Sequence, residues 1–184
     1  MTCECTENVR VGVVILDNEN PGRVPVRATE QAACYDVFAT LNKSVGVKGW
    51  NCRNEKDNFP VLGRAVEFHP GDRMLIPTGI ALLIPKGYCV KVYPRSGLST
   101  KQGLTLVNNV GIIDADYTGE LLIPLMNVSD QYTQVLDGEK VAQIMVERLV
   151  PTVFYEEETA SLMEHAGESN RRFGNEGGFG STGL

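Results

Sequence analysis

Apolar residues recur along this chain in short runs, most alternating with polar residues and most closed by glycine, proline, asparagine or aspartate. Alternation with a period of two puts successive side chains on opposite faces of an extended backbone, so each run predicts a β-strand. Residues 9–16, rich in Val and Ile, stop at Asp17-Asn-Glu-Asn-Pro21-Gly22 and read as a first strand and its turn. In residues 34–39, Tyr35, Val37 and Ala39 alternate with Asp36 and Phe38. A lone acid in such a strand ordinarily faces solvent. Alternation resumes at residues 65–68, breaks at His69-Pro-Gly-Asp72 and continues over residues 73–84. Pro85-Lys-Gly87 then makes a tight turn into residues 88–93, which reads as a β-hairpin. Residues 104–113, apart from Asn108 and Asn109, and residues 121–128 are apolar again, and Asp137-Gly138 predicts another hairpin ahead of residues 140–150.

Three stretches depart from this rhythm. Residues 41–63 turn to Asn, Lys, Gly and Asp without a sustained period, around Trp50, Cys52 and Phe59. They read as a long surface excursion with a few apolar anchors, either decoration or a partner-binding surface. Pro94-Arg-Ser-Gly-Leu-Ser-Thr-Lys101 suits a turn into a short helix whose free N–H groups point outward. Residues 159–165 also look helical, and from Gly167 the chain is Gly, Ser, Asn and Arg with Phe173 and Phe179 as its aromatics, a tail unable to bury enough surface to order itself. Strands at such regular spacing, with so little helix, predict an all-β sandwich or barrel.

Composition narrows the function classes. The 184 residues suit one domain with a sizeable core, and a net charge of −6 argues against binding along DNA or RNA backbones. The polar first ten residues lack the apolar centre of a signal peptide, and no apolar run approaches a membrane span, so a cytoplasmic protein is expected. Five unevenly spaced cysteines fit reduced thiols better than a disulfide framework. Cys3-x-Cys5 could bind a metal, but no second Cys/His pair at finger spacing accompanies it.

Candidate chemistry centres on Gly111-Ile-Ile-Asp-Ala-Asp-Tyr-Thr-Gly-Glu120. Alternation points Asp114 and Asp116 to one side, which is the composition of a site and equally that of a hairpin turn. The chain has no Gly-x-x-x-x-Gly-Lys-Ser/Thr loop, no His-Glu-x-x-His, and only His69 and His165 as imidazoles. Hydrolysis through a zinc-bound water or a Ser/His relay is therefore disfavoured. What remains suits cleavage of a nucleotide's phosphate chain. Backbone amides and Arg95 can hold phosphate oxygens, a carboxylate can activate water for in-line attack, and an arginine can neutralise developing charge. Mg2+ is the usual metal bridging such phosphates, and Phe179 offers a face for a base.

Five blocks in order extend this reading: Ala33-Cys-Tyr-Asp36, Pro94-Arg-Ser-Gly-Leu-Ser99, Asn108-Asn-Val-Gly-Ile-Ile-Asp-Ala-Asp-Tyr-Thr-Gly-Glu120, Gly138-Glu-Lys-Val-Ala-Gln143 and Gly177-Gly-Phe-Gly-Ser-Thr-Gly183. Each alone is a weak match, but in this order and spacing the chain resembles the homotrimeric dUTP diphosphatases. That resemblance implies a distorted jelly-roll-like β-barrel with one short helix over residues 1–166, an insertion at 42–63, and a flexible capping tail over 167–184. It implies hydrolysis of dUTP to dUMP and pyrophosphate by attack at the α-phosphorus, keeping uracil out of DNA and supplying dUMP. Asp114 would activate the water, and Asp36 would lie in the surroundings of Mg2+, itself held mainly through substrate phosphates. Arg95, Ser96 and Gly97 would hold the phosphates and Gln143 the α-phosphate. Asn108 and the backbone over residues 110–116, with Gly111, Ile113 and Asp116, would read uracil. Tyr117 would pack beneath the sugar and exclude a 2'-hydroxyl. Phe179 would stack on uracil, with Ser181 and Thr182 near the terminal phosphate, and each site would draw on three subunits.

The chain departs from the family's pattern at two points. Cys34 stands where the first block commonly has glycine, and Gly174 stands where the tail arginine is usual, leaving Arg171 or Arg172 as candidates and Arg172 as the choice. Two other functions compete: a dCTP deaminase, which shares the resemblance in fold but needs a different turn from Arg95-Ser-Gly97, and a regulatory binding protein using residues 42–63.

Overall fold

The computed structural model describes residues 8–162. They fall into two units, one ending at Val150 and one beginning at Pro151. The first unit is built from β-strands and one short helix. In chain order the strands are β1 (Gly12–Ile15), β2 (Tyr35–Phe38), β3 (Val47–Trp50), β4 (Lys56–Phe59), β5 (Val61–Leu62), β6 (Ala65–Phe68), β7 (Arg73–Ile76), β8 (Ile80–Leu83) and β9 (Tyr88–Tyr93). The helix α1 (Ser96–Gln102) follows, then β10 (Leu104–Leu106), β11 (Gly111–Ile113), β12 (Ile123–Asn127), β13 (Thr133–Leu136) and β14 (Lys140–Arg148). Strands of one sheet run β10-β12-β7-β3-β4, those of another β11-β9-β14-β2, and smaller sheets are β13-β6-β5 and β1-β8. The all-β expectation holds, in a jelly-roll-like arrangement with antiparallel pairing and one short helix.

Periodicity and burial agree where it matters for the core. Along β12, Ile123, Leu125 and Asn127 are buried while Pro124 and Met126 are not, and β6 and β7 alternate likewise. Their inward residues meet Val37, Leu104, Leu106, Leu121, Val135 and Val141 in one apolar cluster.

Strand pairing departs from the expected hairpins. Turns do form at Pro85-Lys-Gly87 and Asp137-Gly138, but β8 pairs with β1 while β9 pairs with β11 and β14. Likewise β13 pairs with β6, and β14 with β2 and β9. The reason is visible at Asp137, whose carboxylate accepts from the Leu41 amide at 3.0 Å and from Arg64 at 3.0 Å. Gly138 donates its N–H to the Ala39 carbonyl at 2.9 Å. The turn's polar groups are therefore spent on other segments, and the strands it joins separate into different sheets. Residues 73–84 are also two strands, divided at Pro77-Thr78-Gly79, where Gly79 takes a φ of 67°.

Residues 41–63 correct the expectation of an irregular excursion. They carry β3, β4 and β5, and Val47 and Val61 are buried. β3 pairs with both β4 and β7, with Gly49 opposite Met74. A Cβ at Gly49 would lie 2.3 Å from the Arg73 carbonyl oxygen, so only glycine permits this approach. Asp36 is a further correction, for it is 7% exposed instead of solvent-facing.

In the second unit, residues 159–162 are helical; the rest of the expected helix, residues 163–165, lies outside the described residues. Val153, Phe154 and Tyr155 are exposed. No helix among the described residues is long and apolar enough to cross a membrane.

The Gly49 approach yields a test. Gly49→Ala is expected to speed hydrogen exchange of amides in β3 and β4 by tenfold or more, about 1.4 kcal/mol of local opening, while β9 and β14 stay protected. Unchanged exchange in β3 and β4 would show that this contact does not hold the hairpin.

Candidate active site

Asp36 sits on β2 opposite Gln143 of β14, which in turn lies opposite Tyr93 of β9. Its side chain is 9% exposed and both oxygens are engaged: Oδ1 with Arg95 Nε at 3.1 Å and Oδ2 with Lys140 Nζ at 2.7 Å. Arg95 Nη1 also donates to the Lys140 carbonyl at 2.8 Å, and Gln143 Nε2 donates to the Pro94 carbonyl at 2.9 Å. A buried carboxylate needs such compensation. Two cations to one carboxylate leave the cluster positive, which suits an anion.

These contacts fix the start of α1. Arg95 occupies the N-cap with extended backbone angles and no side-chain cap, since a guanidinium carries only donors and cannot accept from the helix amides; it is directed instead to Asp36. Ser99 N–H closes the first turn onto the Arg95 carbonyl at 3.0 Å. No side chain of the usual capping type covers the earlier amides. A Cβ built on Gly97 meets nothing within 4 Å, so the turn is open on that side.

The acidic loop lies elsewhere on the sheet. Gly111 and Ile113 stand on β11, Gly111 packed against Val92 and close to the Asn108 side chain. Asn109 turns the chain with a φ of 60°, and Val110 N–H donates to the Asn108 carbonyl at 2.6 Å. Asp114 and Asp116 are exposed, and Tyr117 N–H donates back to the Asp114 carbonyl at 3.2 Å. The Tyr117 hydroxyl donates to the Glu120 carbonyl at 2.9 Å. Glu120 Oε1 accepts from the amides of Thr78 at 3.1 Å and Gly79 at 2.8 Å, anchoring the loop's far end.

Within one chain these two groups remain apart. β11 and β2 are the opposite edges of a four-stranded sheet. Strand spacing and register then separate the Asp114 end of β11 from Asp36 by roughly 15–20 Å. The structure thus gathers Asp36, Arg95, Ser96, Gly97 and Gln143, and separately Asn108, Gly111, Ile113, Asp114, Asp116 and Tyr117. Arg172, Phe179, Ser181 and Thr182 lie outside the described residues.

Sequence reasoning missed Lys140 and Glu120 as structural partners of these groups. Strict alternation would put Lys140 and Gln143 on opposite faces, but the register shifts between Lys140 and Ala142, and both reach the Asp36 side. Among the described residues no three His, Cys, Asp or Glu gather as a metal site.

Similarity to known proteins places this jelly-roll-like chain, with its exposed Asp-x-Asp-Tyr loop and cation-lined helix start, among the hydrolases of nucleotide metabolism. A family model described as dUTPase matches residues 61–183, and the chain belongs to that family. It is 34% identical over 177 residues to a deoxyuridine 5'-triphosphate nucleotidohydrolase of Wolbachia pipientis subsp. Culex pipiens, covering 96% of this chain and 97% of that one. It is 38% identical over 141 residues to the enzyme of the same name from Finegoldia magna, covering 77% and 88% of the two chains. Among solved structures it resembles a dUTPase from Streptococcus mutans, with a TM-score of 0.56 and 25% identity over 78% of this chain and 98% of that one. The fold is also shared with the dUTPase of Staphylococcus aureus phage phi11, with a TM-score of 0.62 and 23% identity over 83% and 99% of the two chains.

Asp36→Asn tests the charged cluster. Neutralising the shared partner leaves Arg95 and Lys140 opposing each other, and a loss of about 2 kcal/mol is expected. Denaturant unfolding at fixed protein concentration measures it, and a wild-type midpoint would exclude this role for Asp36.

Proposed function

We propose that this chain hydrolyses dUTP to dUMP and pyrophosphate as a homotrimer whose sites are shared between copies. The observation that carries this is the separation of the Asp114 loop from the Asp36–Arg95–Gln143 cluster by the width of one sheet, in a member of the dUTPase family. A second and third copy would bring the halves together. They would also cover apolar surface that stands open in one chain, including Ile112 beside the loop.

In this reading the Asp114 carboxylate, exposed just beyond the end of β11, accepts a proton from the attacking water and aims it at the α-phosphorus. Arg95 supplies fixed positive charge to the phosphates. It is pre-oriented by Asp36, so little reorganisation accompanies the gain of charge on the leaving pyrophosphate. Gln143 and the amides near Ser96 and Gly97 complete the phosphate contacts. Asn108, Gly111, Ile113 and Asp116 present the loop to uracil, and Tyr117 lies against the sugar. The tail over residues 167–184 closes the site, with Phe179 on the base, Ser181 and Thr182 near the terminal phosphate, and Arg172 on the phosphates.

A structure of a mutant phage phi11 dUTPase reveals the coordination of a structural Mg(II) ion in that enzyme. In this chain both Asp36 oxygens pair with side-chain cations, which supports an indirect role for Asp36 towards the metal. The residues fit an ion carried in on the substrate's phosphates, with Asp36 acting through Arg95. Bound there, Mg2+ supplies neutralising charge to the phosphate chain.

A protein partner is the second reading, and the β3–β4 hairpin supports it. β4 is the edge of its sheet, with Lys56, Asp57 and Asn58 exposed.

A panel of dUTP, UTP, dTTP and dCTP with Mg2+ is expected to give pyrophosphate from dUTP alone, with chelation lowering the rate and Mg2+ restoring it. Ammonia from dCTP would instead reveal a deaminase. Asp114→Asn is expected to bind dUTP while losing about a hundredfold or more in kcat, and full activity would exclude the mechanism. Mixing inactive Asp114→Asn with inactive Arg95→Ala chains, after dissociation and reassembly, is expected to restore activity; a mixture that stays inactive would place each site within one chain.

A further inference from the structure

Gly119 lies directly beneath the aromatic side chain of the acidic loop. A Cβ at this position would stand 2.6 Å from the Tyr117 hydroxyl and 2.7 Å from Cζ, closer than nonbonded atoms approach. Gly119 is not among the glycines with positive φ, so the backbone itself does not require glycine there. What an added Cβ would meet is the far end of the ring, which would have to shift. One residue further on, the Glu120 carbonyl accepts the Tyr117 hydroxyl at 2.9 Å, and the Glu120 carboxylate is pinned by the Thr78 and Gly79 amides. Thr78 is 1% exposed and its hydroxyl donates to the Leu121 carbonyl at 2.6 Å, so the pin is set in the core. The ring is thus laid on Gly119, tied at its tip to Glu120, and still 44% exposed.

We propose that Gly119 and Glu120 are positioning residues that fix the Tyr117 ring and thereby set discrimination between deoxyribose and ribose nucleotides. The proposal rests on the reading that Tyr117 lies against the sugar. Excluding one hydroxyl by contact requires the excluding atoms to stay in place within a fraction of an ångström, because a ring free to rotate yields to the extra oxygen. An open loop of exposed residues does not supply that rigidity by packing. Here it comes from the close approach of the ring to Gly119 and from a carboxylate that ties the loop to the turn around buried Thr78.

The test compares kcat/KM for dUTP and UTP. Gly119→Ala pushes the ring outward and is expected to lower the dUTP:UTP ratio about tenfold. Placed on Tyr117→Ala it is expected to change the ratio no further, since the added methyl then has nothing to displace. Glu120→Ala is expected to lower the ratio, and Glu120→Gln, which keeps a carbonyl oxygen for the two amides, to retain it. Merely structural damage would reduce both substrates alike and add to the Tyr117→Ala effect. If Tyr117→Ala lowers the ratio but Gly119→Ala or Glu120→Ala leaves it at the wild-type value, the proposal falls alone. If Tyr117→Ala leaves the ratio unchanged, the sugar reading falls and takes the proposal with it.

Discussion

Between β7 and β8 the chain makes a turn at Pro77, Thr78 and Gly79 whose central residue is buried and whose flanks are half-buried, and such a turn has no ladder to pair its peptide groups. Each backbone N–H and carbonyl of these residues is satisfied by a distant segment. The Pro77 carbonyl accepts from the Thr40 amide at 2.8 Å and the Thr78 carbonyl from the Thr40 hydroxyl at 2.9 Å. The two amides go to Glu120, and the Gly79 carbonyl accepts from the Leu16 amide at 3.0 Å. Proline, lacking an N–H, removes the one donor that would have been left over. Gly22 packs so closely that a Cβ there would stand 2.5 Å from the Thr78 carbonyl oxygen. The end of β1, the exit of β2 and the exit of the acidic loop therefore converge on three residues. Loss of any one partner strands a buried polar group at about 1–3 kcal/mol.

That constraint explains how a domain of short strands holds two separate functional groups firmly. β11 has three residues, too few to orient a loop by pairing alone, and its loop is held at the far end by Glu120. The cation cluster is held in the same manner, by the Asp36 carboxylate on β2, which ties Arg95 and Lys140 together. In both cases a side-chain carboxylate does what backbone hydrogen bonding cannot. The described residues contain no buried side-chain polar atom lacking a partner, so the interior tolerates these acids without penalty from unpaired groups.

Much of this was legible in the sequence, and what was not has a common cause. Strand positions follow from alternation, since Phe68, Met74, Ile76 and Ile123 fall on one face of their strands by period alone. The short helix after Pro94 follows from local composition. Pairing does not, because a tight turn at Pro85 or Asp137 specifies only that the chain reverses. Which sheet receives the next strand depends on contacts far away in sequence, such as Asp137 with Leu41. Asp36 was misread for the same reason: its burial is decided by Arg95 and Lys140, neither of them near it in sequence. The acidic residues of the loop were recognisable by type, but the role of Glu120 emerges only with Thr78 and Gly79 in place.

The shared site and the stapled loop then follow from one geometric fact. β11 and β2 are the opposite edges of a four-stranded sheet, so the width of that sheet separates their residues within one chain. In the proposed homotrimer another copy brings them together. Once the site is split between copies, each half must be rigid before assembly, because a floppy half would spend association energy on its own ordering. Glu120 on one side and Asp36 on the other meet that demand. Both anchor exposed chemistry to the buried sheet framework of their own chain, which leaves the contact between copies free to set only the distance between the halves.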